Sequence, residues 1–91
     1  MKIKWTSKAV SDLNRLYQFL SRVNPDSAQQ TLRSLSRGPD HLITNPRLGE
    51  QLFQFKDREV RKIHIGSYEM RYEVQKETIF ILRVWHTREE R

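Results

Sequence analysis

Arg61, Lys62 and His64 stand on one short alternating stretch, EVRKIHI (59–65), and His86, Arg88 and Arg91 crowd the end of the chain. Arg71 and Arg83 fall between them, in segments that also read as strands. If those strands are neighbours, their cations can converge on a concave patch. Such a patch grips phosphate oxygens by charge and directed N–H donors. With a histidine or lysine as general base and an arginine on the scissile phosphate, it could also cleave RNA. The competing reading is a set of sheet-surface charges on a basic protein. Composition alone leans towards that second reading.

Other chemistry finds little support. The histidines at 41, 64 and 86 are far apart in sequence and the chain has no cysteine, so neither a zinc site nor any other metal centre is expected. The three glycines are isolated, no phosphate-cradling loop is present, and no cofactor is implied. No serine sits in a nucleophile elbow. Glu69 and Glu73 share a strand face, but alternating Glu-Arg-Glu reads as a salt-bridge ladder rather than an acid/base pair. The aromatics lie at core spacing, with no basic-aromatic interleaving of the base-stacking kind. Trp85, next to the charged tail, is expected at a rim.

The bulk numbers bound the rest. Ninety-one residues make one domain, 1–91. Such a chain buries only about 60–65% of its unfolded surface, enough for one modest core. The net charge of +6 favours an acidic partner. The absence of cysteine fits a reducing cytoplasm. No apolar run approaches the roughly 20 residues of a membrane span, and the start, MKIKWTSKAV, lacks a signal-peptide core.

The elements that must position these groups follow from periodicity. KIKW (2–5) alternates as a short strand. Thr6 or Ser7 can cap a helix over roughly 7–23, with Ala9, Val10, Leu13, Leu16, Tyr17, Leu20 and Val23 on its buried face and Asp12 largely on the other. Asn24-Pro25 stops it and starts a second helix. Ala28, Leu32, Leu35, Leu42 and Ile43 give that helix its apolar stripe, and Gly38-Pro39 breaks it into pieces near 26–37 and 39–44. After an Asn45-Pro46 and Leu48-Gly49 loop the period becomes strand-like. QLFQF (51–55) alternates weakly, and EVRKIHI and YEMRYEV (68–74) flank a Gly66-Ser67 hairpin turn. A turn near 75–77 leads to TIFILRVW (78–85), apolar on both faces and so expected to be the central strand. The fold class is α+β: an N-terminal strand and an antiparallel helix hairpin packed on a C-terminal antiparallel β-meander.

In this order and spacing the chain resembles ParE-type toxins of the RelE/ParE toxin–antitoxin superfamily over essentially its whole length. The resemblance rests on the helix AVSDLNRLYQFL after a short strand, the Asn-Pro-x-x-Gly loop NPRLGEQL, the hairpin VRKIHIGSYEMRYEV, and the ending ILRVWHTREE with His-x-x-Arg. The Gly38-Pro39 break departs from the family's usual unbroken second helix.

The resemblance implies a toxin of a type II system, with two activities known on the fold. ParE-like members inhibit DNA gyrase by stabilising its cleaved-DNA complex; RelE-like members are ribosome-dependent mRNA endoribonucleases. For the RNase branch Lys62, His64 and Arg88 match expected basic positions. Glu69, however, follows Tyr68 where that branch has an arginine, and no tyrosine follows Tyr72. The gyrase reading is therefore preferred, with no catalytic residue. Trp85, His86, Arg88 and Arg91 are then candidates for binding the target. The resemblance further implies a cytoplasmic hetero-oligomer with a cognate antitoxin, which lays an acidic flexible segment on the toxin. Tyr17, Leu20, Arg61 and Arg71 are candidates for that contact.

Overall fold

The computed structural model describes residues 1–89. β1 (Lys2–Trp5) leads into α1 (Ser7–Val23) and α2 (Pro25–Arg37). One turn of 3-10 helix (Gly38–Asp40) then runs into the short α3 (His41–Thr44). β2 (Glu50–Gln51), β3 (Glu59–Ile65), β4 (Tyr68–Gln75) and β5 (Thr78–His86) follow.

Local chemistry explains the helix ends. The Thr6 side-chain oxygen accepts from the Ala9 N–H and caps α1. Asn24 ends α1 and caps α2 in turn, its side chain accepting from the Ser27 N–H, with Pro25 at the first helical position. The Gly38-Pro39 break falls where expected. A Cβ on Gly38 would run into the Ile65 side chain, so the break sits where the helix end closes on β3.

The five strands form one sheet in the order β1-β5-β4-β3-β2. β1 pairs parallel to β5, and the other neighbours are antiparallel. The sheet is therefore mixed, because the N-terminal strand returns beside the last one. β5 is interior, as its two apolar faces require, but β4 holds the centre. Of QLFQF only Gln51 is in a strand.

One face of the sheet carries the core. Ala9 and Leu16 of α1, Leu35 of α2 and Leu42 of α3 close over Met70, Tyr72, Ile79, Ile81 and Val84. A bulge keeps this face apolar to the end of β5. Tyr72 pairs with Ile81 and Arg71 with Arg83, so Leu82 is the extra residue. Strict alternation from Ile79 and Ile81 would turn Arg83 into the core. The extra residue turns Val84 inward instead and Arg83 outward.

Three expectations for α1 and the aromatics are corrected. Val10 and Val23 are exposed, and Phe19 is 63% exposed. Asp12 is 4% exposed. The helix does not lie squarely on the sheet: it runs along the edge of β5, so its buried arc is shifted towards Asp12. Phe53 is also exposed rather than core.

Candidate functional site

The edge of β5 shows why Asp12 is buried. β1 stops at Trp5, opposite Ile81, while β5 continues to His86. Beyond that point the edge has no strand partner, and α1 supplies one from side chains. The Thr6 hydroxyl donates to the Ile81 carbonyl at 2.8 Å. One Asp12 carboxylate oxygen accepts from the Val84 N–H at 2.8 Å and from Arg83 Nε at 2.8 Å. Arg15 reaches Asp12 and the Val84 carbonyl, both at 3.3 Å. Burial pushes the Asp12 pKa up, but the bonds from Arg83, Val84 and Arg15 outweigh it and hold it below the ordinary carboxylate value.

The tail folds back on this network. The Thr87 N–H donates to the Ser67 carbonyl, and the Glu89 N–H to the His86 carbonyl. The Glu89 carboxylate accepts from the His86 N–H and pairs with Arg15. His86 stands edge-on to Tyr68, ring centroids 5.2 Å apart, and its Nδ1 accepts from the Arg88 N–H. Residues 86–89 thus form an ordered clasp that walls one side of an apolar groove of about 570 Å³. Leu16, Phe19 and Leu20 of α1 form the other side, and His86 and Arg88 sit on the rim.

The sequence-derived candidates divide among separate surfaces. Leu20, His86 and Arg88 meet at the apolar groove. Tyr17 instead faces a shallow depression against α2, beside Leu32 and Arg33. Trp85 is 7% exposed, which corrects the expectation of a rim: it lies opposite Glu69, and the Arg71 guanidinium covers its ring at 4.8 Å. Arg91 lies outside the described residues.

Arg61 and Arg71 lie on opposite faces of the sheet. Arg61 pairs with Tyr72 on the core side, where it bonds Glu59 and the Gly49 carbonyl. Arg71, paired with Lys62 on the open face, bonds Glu69 at 3.2 Å. The expected ladder is present with different partners and less solvent: Glu69 takes Arg71, while Glu73, 7% exposed, takes Arg58 at 2.7 Å. The Arg58 hydrogen bond holds Glu73 below the ordinary carboxylate value.

Lys62 and His64 line a second groove, of about 710 Å³, beside the edge of β3. Arg37 and His41, at the broken end of the helix hairpin, line it too. Neither was singled out from the sequence, because their distance from His64 along the chain hides their proximity. Leu48 and Gly49 close the groove from the loop. That loop is fixed by Tyr72, whose hydroxyl donates to the Pro46 carbonyl at 2.8 Å and accepts from the Gly49 N–H at 2.9 Å. A Cβ on Gly49 would lie 2.5 Å from the Lys62 carbonyl oxygen, so the loop can close on β3 only with glycine there. Arg88 lines the other groove, so the three RNase-branch positions do not meet.

The family model for the ParE toxin of the parDE type II toxin–antitoxin system matches residues 3–91. The chain belongs to the ParE toxin family. A comparison with curated protein sequences returns no match. Among solved structures, the chromosomal ParDE system from P. aeruginosa contains a chain with the same fold, at a TM-score of 0.75 and 21% identity. The alignment covers 94% of this chain and 95% of that one. Membership in a type II system brings with it a cognate antitoxin as partner. No helix among the described residues is long and apolar enough to cross a membrane.

Proposed function

We propose that this ParE-family toxin inhibits DNA gyrase by stabilising its cleaved-DNA complex, acting in the cytoplasm and without a catalytic residue of its own. The observation that carries this reading is the separation of the RNase-branch positions. Lys62 and His64 line the groove at β3, while Arg88 lines the groove at the tail. The residue after Tyr68 is a carboxylate already bonded to Arg71, and a carboxylate there repels a phosphate.

The antitoxin's place in this reading is the apolar groove of Leu16, Phe19 and Leu20. Burying those side chains supplies affinity, and Arg88 on the rim attracts acidic residues. Tyr17, Arg61 and Arg71 drop out of that surface: Tyr17 faces elsewhere and both arginines are engaged internally. His86 and Arg88 are the target contacts, with Trp85 acting beneath the surface as the anchor of the strand that presents them. An antitoxin in this groove covers the same rim, which accounts for neutralisation.

Plasmid supercoiling by purified gyrase tests the reading. Adding the toxin is expected to abolish supercoiling and accumulate linear DNA after detergent and protease treatment. No effect at large excess of folded protein would overturn it, and mRNA cleavage on translating ribosomes would replace it.

A further inference from the structure

Among the described basic residues some are paired and others, Lys2, Lys4 and Arg88 among them, have no side-chain partner. Arg15, Arg47, Arg58, Arg61, Arg71 and Arg83 are each held by a carboxylate. The side chains of Arg37, His41 and Lys62 have no hydrogen-bond or ion-pair partner among the described residues, and all three residues line the groove at the β3 edge. His64 lines it as well, only loosely associated with Glu69 at 3.9 Å. Glu50 is the one carboxylate on its wall. Three of the unpaired cations thus stand around one concavity.

The backbone adds a donor. The Val60 carbonyl accepts from the Leu52 N–H, so β3 turns the backbone groups of alternate residues, Val60, Lys62 and His64, towards β2. β2 reaches only as far as Glu50, opposite Lys62. The His64 N–H and carbonyl thus face the groove with no strand opposite them. One residue of free edge is too short to template an added strand, which normally runs several residues. It suits an oxyanion: one N–H among several cationic side chains.

We propose that this groove is a DNA-backbone contact. Arg37 and His41 approach a phosphate from the helix side, the side chains of Lys62 and His64 reach it round the strand edge from the open face, and the His64 N–H donates to one of its oxygens. Backbone contacts of this kind position a protein on nucleic acid without reading sequence. The choice of DNA rests on the gyrase reading, in which the target complex contains cleaved DNA; the phosphate chemistry rests on the groove alone.

Fluorescence anisotropy of a labelled 20-base-pair duplex, with the toxin alone and no gyrase, tests the groove separately from gyrase inhibition. The double variant Arg37→Gln/Lys62→Gln is compared with Lys2→Gln/Lys4→Gln, which removes the same charge from β1 at the other edge of the sheet. The groove pair is expected to weaken binding about tenfold and to flatten the salt dependence by nearly two contacts' worth. The β1 pair is expected to change affinity less than threefold. The single Arg37→Gln, on an exposed helix end, repeats the test with least risk to folding. Equal losses from the two pairs would reduce the binding to bulk charge and overturn the proposal. So would undetectable duplex binding at low salt, or a poly-glutamate peptide binding through Arg37 and Lys62 while the duplex ignores them.

Discussion

The two exposed edges of the sheet are treated in opposite ways. Where β5 outruns β1, α1 lies alongside and Thr6, Asp12 and Arg15 take up the stranded backbone groups. Where β3 outruns β2, the 46–49 loop packs close but no strand among the described residues pairs with the free edge, and unpaired cations stand around it. An open edge is a hazard that proteins usually blunt with charge or cover. Here one edge is covered by a buried carboxylate network and the other carries only charge. The first arrangement serves the fold; the second leaves a surface free to act.

Breaking the covered edge should have the largest effect on stability. Asp12→Ala leaves the Val84 N–H and Arg83 without their acceptor and takes one of three from Arg15. We expect a loss of about 2–3 kcal/mol, below the full cost of breaking a buried pair because both arginines are partly solvated. Asp12→Asn keeps an acceptor for Val84 and should lose less. Denaturant unfolding of the two variants measures the difference, and equal losses would assign the effect to the carboxylate charge and remove the Val84 acceptor from the explanation.

At the open edge, Tyr72→Phe should cost about 1–2 kcal/mol. It removes both hydrogen bonds that hold the 46–49 loop against β3. Faster hydrogen exchange of the Gly49 amide should accompany it, with little change at Val84. Coupled changes at both amides would mean that the two edges are one cooperative unit.

Acid should expose the same asymmetry. Asp12, Glu59 and Glu73 all have pKa values held down in the fold. Their stabilisation is complete above the unfolded carboxylate values, near pH 4, and is lost as pH falls through the folded ones. Thermal unfolding should therefore weaken below about pH 5, and Asp12→Asn should flatten that slope. The smallest effect on stability is expected at the apolar groove. Phe19→Ser, at an exposed position, should change stability by less than about 0.5 kcal/mol. The same substitution should weaken the antitoxin complex at least tenfold, measured by calorimetric titration.

How much of this was legible follows from how local each feature is. The α1 boundaries, the Asn24-Pro25 junction, the Gly38-Pro39 break and the Gly66-Ser67 turn depend on neighbouring residues, and the sequence predicts them. The parallel return of β1 beside β5 was not legible, because no short-range pattern encodes it. Asp12 looked like a surface residue because helical periodicity assumes a helix lying on a sheet face, not along an edge. Its one signal was length: a four-residue first strand beside a nine-residue last strand must leave an edge to be filled. The Leu82 bulge was hidden within an unbroken apolar run. At the candidate site, His86 and Arg88, named for the target, and Leu20, named for the antitoxin, line one groove. Arg37 and His41 were not named from the sequence, because only the tertiary fold brings them to one groove with His64.

The most direct test of the functional account is the gyrase cleavage assay run on two proteins, the wild type and Arg88→Gln. Arg88 is exposed, and its side chain has no partner among the described residues, so the variant should fold normally. The account predicts that wild-type toxin traps linear DNA and that the variant needs about tenfold more protein to do so. Linear DNA from neither protein, with both folded, would contradict gyrase as the target. Equal trapping by both would contradict the tail as the contact.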